Sequence, residues 1–159
     1  MKYEYTYPLG HLSLTYDSSG LTGLVYEENK HLEDTNEEIT PVIARTKDWL
    51  NQYFNGMIPD FLPDMHLKGT DFQKKVWNEI MHIPYGTTIT YKQLAESISP
   101  SMSAQAVGHA LSLNPIMIII PCHRVIGSDG SLCGYAGGID KKKWLLEWER
   151  NHLTHNMLR

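Results

Sequence analysis

Residues 90–113, TYKQLAESISPSMSAQAVGHALSL, hold two short helical patterns divided by a polar break. Thr90 stands where a hydroxyl can accept from an unpaired first-turn amide, so it caps a helix running through TYKQLAES. SPSMS interrupts the pattern. Ser103 then opens a second helix, AQAVGHALSL, which stops at Asn114-Pro115 because a residue before proline avoids helical backbone. Two short helices around a tight polar loop follow the helix-turn-helix plan, whose later helix enters a nucleic-acid groove. Many globular domains contain such a pair, so the pattern alone leaves groove binding and ordinary helix packing both open.

Working outward, GTDFQKKVWNEI predicts a helix capped by Thr70, with Phe72, Val76, Trp77 and Ile80 on its inner face. IPYGTT at 83–88 is a turn. Downstream, Ile118–Ile120 resemble a fully buried strand or core segment, and IDKKKWLLEWERNHL is an amphipathic helix with Trp144, Leu145 and Trp148 inward. Upstream, YEYTY, HLSLTY and LTGLVYEE alternate as short strands, with DSSG at 17–20 as a hairpin turn. Residues 29–38 are polar and read as loop. From Pro41 to Phe54 the pattern is helical, with Val42, Arg45, Trp49 and Phe54 among the apolar neighbours, and Gly56 stops it. Pro59 and Pro63 mark a connector. The expected architecture is α/β (α+β): a sheet-and-helix domain over 1–66 and a mostly helical domain over 67–159, with the boundary near 64–68.

The chain has 159 residues, enough to bury a core without disulfides or metals. Its net charge of −4 is uneven: residues 1–66 carry 11 acidic and 4 basic side chains, residues 67–159 carry 7 and 10. A mildly basic second half suits a surface facing a polyanion, although two separately solvated surfaces explain it as well. The apolar run IMIII is far too short to span a bilayer, and no secretory leader pattern opens the chain. The expected compartment is the cytoplasm, where Cys122 and Cys133 stay thiols. No metal-ligand spacing stands out, and the two cysteines are poorly placed to share an ion.

Pro121 ends the apolar run and leaves Cys122 where the backbone turns. Cys122-His123 is either a buried core cysteine beside a surface histidine or a nucleophile beside its base. A free thiol is mostly protonated at neutral pH and needs such a base. A carboxylate on the far ring nitrogen would complete the arrangement, and composition does not say which one.

The segment NPIMIIIPCHRVIGSDGSLCGYAGGIDKKKWLLEWE closely resembles the active-site region of the O6-alkylguanine-DNA alkyltransferases, the methylated-DNA–protein-cysteine methyltransferases. GTDFQKKVWNEIMHIPYGTTITYKQLAE and AQAVGHA are similar to the rest of that family's C-terminal domain, so the likeness runs from about Gly69 to Glu149. The first 66 residues match in general character only. The resemblance implies a small ribonuclease-H-like N-terminal domain and a C-terminal domain with a helix-turn-helix.

It also implies single-turnover transfer of an alkyl group from O6 of guanine to Cys122, without a cofactor. Thiolate is the soft nucleophile such a displacement needs. By the same resemblance His123 draws off the thiol proton through a water, Glu149 holds His123, Tyr91 serves the departing ring and Asn114 braces the site. Pro121, Tyr135 and Ala136 line the guanine pocket. Arg124 is grouped with them, although it looks more like an internal anchor. The lesion is flipped out of the duplex, and the second helix, with Ala104, Gln105, Ala106 and Gly108, faces the minor groove beside Thr90. Gln105 stands where the family commonly has an intercalating arginine, which implies retained chemistry with weaker DNA capture. Cys133 replaces a small or hydroxyl residue, and His109 lies one turn past Gln105. The implied partner is double-stranded DNA carrying O6-alkylguanine, with O4-alkylthymine as a further substrate, and the protein acts as a monomer with no membrane partner. Three other readings are a non-catalytic sensor of alkylated DNA, which lacks an acceptor cysteine, a cysteine hydrolase or peptidase, which needs an oxyanion site, and a DNA-binding regulator cued by an alkylated cysteine, for which no second DNA-binding domain or extra cysteine cluster is present.

Overall fold

The computed structural model describes residues 2–8, 10–27, 39–132 and 134–157. The loop expected at 29–38 and Cys133 lie outside them. The chain forms two compact units, Met1–Lys68 with Pro115–Met117, and Gly69–Asn114 with Ile118–Arg159.

In the first unit, β1 (Lys2–Tyr7), β2 (Gly10–Asp17) and β3 (Gly20–Glu27) form an antiparallel sheet in that order. Leu14 pairs with Leu24 across it, and Leu12, Leu14, Leu21 and Leu24 are buried. The β2–β3 turn closes on Asp17, whose carboxylate accepts from the amides of Ser19 and Gly20. Gly20 is required there: its φ is +144°, and a Cβ would sit 2.5 Å from the Asp64 carbonyl oxygen. Pro115–Met117 joins this unit through Leu24, whose amide donates to Pro115 O at 2.9 Å and whose carbonyl accepts from Met117 at 2.8 Å. A single boundary near 66 did not include that return.

Helix α1 (Pro41–Phe54) starts at Thr40, whose hydroxyl accepts from the Ile43 amide, and ends before Gly56 at φ +83°. Its buried stripe is Ile43, Thr46, Trp49, Leu50 and Tyr53. That differs from the expected Val42, Arg45, Trp49 and Phe54. Arg45 is exposed, donates from Nε to Leu62 O at 3.0 Å and covers the Phe61 ring.

In the second unit, α2 (Asp71–Ile80) and α3 (Tyr91–Ile98) each begin with a reciprocal cap, Thr70 with Gln73 and Thr90 with Gln93. Each pair satisfies two otherwise orphaned amides. Val76, Trp77 and Ile80 are buried and Phe72 is half-buried. Trp77 Nε1 donates to the Ala110 carbonyl at 2.9 Å, tying α2 to α4 (Ala104–Ser112). Residues 99–103 separate α3 from α4, and Ser103 caps the latter. Two-residue strands β4 (Ile89–Thr90) and β5 (Val125–Ile126) pair in parallel.

The apolar run before Cys122 is buried as expected but is not a strand. Residues 117–119 form a turn, with Ile118 at φ 70°. A β-branched residue held in left-handed backbone costs on the order of 1–2 kcal/mol, which the burial of Ile118, Ile119 and Ile120 offsets. Helix α5 (Ile139–Met157) corrects another expectation. Leu145 is buried, but Trp144 and Trp148 are half-exposed and stack on each other with centroids 5.0 Å apart. Among the described residues, the fully buried polar side chains of this helix are Lys142 and Glu149.

Candidate active site

Pro121 has φ −82° and ψ 61°, and the Cys122 amide donates to Ile120 O at 2.8 Å across it. This is an inverse γ-turn, which proline's restricted φ favours. A single turn of 3-10 helix, Cys122–Arg124, follows directly. The reversal places Cys122, His123 and Arg124 inside the fold, with Cys122 only 6 % exposed.

Asn114, just past α4, reaches this turn with its side-chain amide. Nδ2 donates to Ile120 O at 2.9 Å and to Cys122 Sγ at 3.2 Å. Burial pushes the Cys122 thiol up to about 11, against the Asn114 donor and the charge of Lys142, which both favour thiolate. At pH 7 the resting group is therefore a thiol, and forming thiolate costs about 5 kcal/mol.

His123 is fully buried. Its Nε2 lies 2.7 Å from Glu149 Oε2, while Nδ1 is buried with no hydrogen-bond partner. Burial lowers the imidazole's affinity for a proton, and Glu149 only partly restores it. Burial also works to raise the Glu149 carboxyl, but the His123 contact and the Arg124 guanidinium outweigh it and hold the group ionised. Arg124 donates from Nε to Oε1 at 2.8 Å and from Nη2 to Oε2 at 3.0 Å. The amide of Gly86, in the turn before β4, adds a bond to Oε1 at 3.1 Å.

Arg124, grouped by sequence with the pocket, is instead an internal anchor. Its third donor, Nη1, goes to Ile83 O at 2.8 Å, and the guanidinium carbon lies 5.6 Å from the Tyr85 ring centre. Lys142 was missed altogether. It is fully buried, donates to Val125 O at 2.7 Å and lies 5.7 Å from the Tyr91 ring centre. A lysine seven residues before Glu149 falls two helical turns away on the same face, and that spacing was the available signal. Gly86 and Tyr85 carried no signal beyond an ordinary turn.

Tyr91 is the first residue of α3 and is half-buried. Gly108 of α4 faces its ring: a Cβ there would lie 3.8 Å from Cδ1 and Cε1. Gly108 therefore packs α4 against the Tyr91 ring of α3. A Cβ on Gly134 would lie 3.4 Å from the Tyr91 hydroxyl, so the loop after β5 comes close to that oxygen. In this loop Tyr135 is buried, edge-on to His123 with centroids 6.5 Å apart, and Ala136 is exposed. Pro121 is buried.

Ala104 and Gln105 are exposed at the start of α4, Ala106 is half-buried, and His109 is exposed one turn on. Thr90 is occupied as the α3 cap. Cys122, His123, Glu149 and Asn114 are thus brought together, Tyr91 stands beside the Lys142 ammonium, and Gln105 and its neighbours stand at the exposed start of α4. Among the described residues no group of three or more His, Cys, Asp or Glu side chains could hold a metal ion, and no helix is long and apolar enough to cross a membrane.

Residues 71–151 match the family described as the 6-O-methylguanine DNA methyltransferase, DNA binding domain. The methylated-DNA–protein-cysteine methyltransferase of Mycobacterium bovis is 44 % identical over 147 residues, 91 % of this chain and 88 % of that protein. The enzyme of the same name from Methanosarcina barkeri is 43 % identical over 152 residues, covering 92 % and 94 %. Among solved structures, Mycobacterium tuberculosis OGT in complex with DNA superposes with a TM-score of 0.84 at 40 % identity, covering 95 % of this chain and 93 % of that one.

Proposed function

The chain belongs to the methylated-DNA–protein-cysteine methyltransferase family, and from that premise we propose how its residues divide the work. It is a DNA-repair enzyme that transfers an alkyl group from DNA to its own cysteine, and Cys122 is the acceptor. The observation that carries the assignment is one connected set: Asn114 on Sγ, His123 beside it with Nδ1 unpartnered, and Glu149 on Nε2.

The buried thiol and the neutral imidazole favour an uncharged resting pair, with the proton moving only as the reaction proceeds. His123 Nδ1 takes the Cys122 proton, through a water where the two do not meet. The sulfur then forms a bond to the alkyl carbon while the carbon–O6 bond breaks and leaves its electron pair on guanine. Tyr91 donates toward that developing charge, and the proton held by His123 restores the balance. Asn114 and Lys142 favour the sulfur's anionic form. Pro121, Tyr135 and Ala136 form the walls of the guanine pocket.

A buried thiol requires the lesion to leave the duplex, at a cost of a few kcal/mol that a damaged pair reduces. We assign α3 and α4 as the helix-turn-helix and the start of α4, with Ala104, Gln105 and Ala106, as the minor-groove contact. The neutral Gln105 fills part of the gap left by the flipped nucleotide but adds no charge. The first unit, with three strands and one helix among the described residues, is assigned as ribonuclease-H-like. The substrate is double-stranded DNA with O6-alkylguanine and, secondarily, O4-alkylthymine. The protein acts as a monomer in the cytoplasm, where its thiol stays reduced.

Intact mass after incubation with excess duplex carrying one O6-methylguanine tests this. The wild type is expected to gain one methyl per chain, at Cys122, and Cys122→Ala none. Lesion binding without mass gain would restore the sensor reading, and repeated product release would point to a turnover enzyme.

A further inference from the structure

Glu149 has more donors than a carboxylate needs merely to orient a histidine. Gly86 N and Arg124 Nε hold Oε1, and Arg124 Nη2 and His123 Nε2 hold Oε2. Arg124 is itself pinned by the Ile83 carbonyl and has the Tyr85 ring alongside, so the fork has a defined place. An ionised carboxylate only accepts, so the ring nitrogen facing it carries the hydrogen. In a neutral imidazole the other nitrogen, Nδ1, is then the acceptor.

We propose that Arg124 is a positioning residue for alkyl transfer: by orienting and neutralising Glu149 it keeps the His123 hydrogen on Nε2 and the ring uncharged, so that Nδ1 is free to take the Cys122 proton. This rests on the reading of Cys122 as the alkyl acceptor. The physical reason is a balance of charge. A lone buried carboxylate 2.7 Å from the ring would draw a proton onto it and remove the base. With Arg124 across both oxygens, His123 faces a nearly neutral pair. Burial first, and then repulsion from Arg124 and Lys142, hold the ring uncharged against the pull of Glu149. The ionisable groups around His123 are Cys122 and Arg124 on its own turn, Glu149 and Lys142 on α5, Tyr85 before β4 and Tyr135 in the loop after β5.

Single-turnover methyl transfer from an O6-methylguanine duplex, followed against pH, separates charge from geometry. Wild-type transfer is expected to show no loss as pH falls from 8 to about 6.5, the ordinary histidine value. Arg124→Gln loses the compensating charge. Its rate should fall about tenfold per pH unit below a midpoint raised above the wild type's, and recover in alkali. Arg124→Lys keeps the charge and loses the fork, so it should transfer more slowly with an unshifted acid limb. Nitrogen-15 NMR of wild-type His123 should show the hydrogen on Nε2. A pH-independent loss in Arg124→Gln, the same displaced limb in Arg124→Lys, or hydrogen on Nδ1 of the wild type would each overturn the proposal. Should Arg124→Gln fail to fold, the lysine variant and the wild-type spectrum still decide it. Wild-type protein that gains no methyl at any pH would refute the acceptor reading instead, and the NMR result would still judge what Arg124 does to His123.

Discussion

Asn114→Ala removes one side-chain amide that makes two hydrogen bonds, and the two losses register in different measurements. The first bond, to Ile120 O at 2.9 Å, satisfies a buried carbonyl. That oxygen still accepts from the Cys122 amide at 2.8 Å, so losing the Asn114 donor costs about 0.5–1.5 kcal/mol, and for a chain of this size each kcal/mol lowers Tm by roughly 2–4 °C. The second bond, to Cys122 Sγ at 3.2 Å, acts on reactivity. An N–H donated to thiolate is worth about 1.5–3 kcal/mol, against about 0.5–1.5 kcal/mol for a neutral acceptor. The difference, about 1–1.5 kcal/mol, corresponds to a thiolate fraction about tenfold lower at neutral pH. Single-turnover methyl transfer at saturating lesion DNA should slow by that factor while affinity for the lesion is unchanged, because Asn114 is buried and away from the exposed start of α4. Asn114→Asp should be slower still, since it puts an acceptor where the thiolate needs a donor. An alanine variant that melts lower but transfers at the wild-type rate would refute the reasoning. It would mean that Lys142 and burial alone set the sulfur's character.

Without DNA, a small neutral alkylating agent reads the thiol by itself. Burial places Cys122 at about 11, so its modification should quicken about tenfold per pH unit between pH 7 and about 10, and a plateau near neutrality would contradict the uncharged resting pair. Gly108→Ala offers a test of helix packing. The new methyl would meet Tyr91 at 3.8 Å, ordinary contact distance, and alanine favours helix over glycine by up to about 1 kcal/mol. Thermal denaturation should show a small rise, and a lower midpoint would mean that the Tyr91 ring needs more room than its position indicates.

Local backbone chemistry was the most legible part of the fold. Thr70 and Gln73, and Thr90 and Gln93, are three apart, and that spacing is enough to form two capping boxes whatever packs around them. Three alternating strands and the α1 boundaries were readable for the same reason. Facing was harder. In α1 helical spacing sets Arg45 among apolar neighbours, yet Arg45 is exposed and Thr46 is the polar residue that enters the core, its hydroxyl donating to the Val42 carbonyl. Side chains that carry their own hydrogen-bond solution do not follow a hydrophobic pattern. The run from Ile116 to Ile120 announces burial but not conformation, because apolar residues are buried equally well in a turn once Asn114 and the chain itself take up its carbonyls.

At the site, Cys122 and His123 stood out as adjacent residues, but Glu149 and Asn114 came from family likeness, since nothing in the composition singles out one carboxylate. Lys142 and Glu149 explain why Trp144 and Trp148 looked like the inner face of α5. The helix turns a charged stripe inward, toward partners that lie 17 and 26 residues away at Val125 and His123. Long-range compensation of that kind has no local signature.

The parallel ladder of β4 and β5 is only two residues long, yet the chain leaves it at both important places. Thr90 is followed at once by Tyr91, and Val125 is preceded by the Cys122–Arg124 turn. With Ile89 opposite Val125, two segments more than thirty residues apart share one fixed ruler. A slip of one step along it would carry Tyr91 about 3.3 Å past the cysteine turn, more than the reach of an ordinary hydrogen bond. The ladder therefore works as a gauge block, fixing by backbone register where Tyr91 starts relative to the cysteine turn.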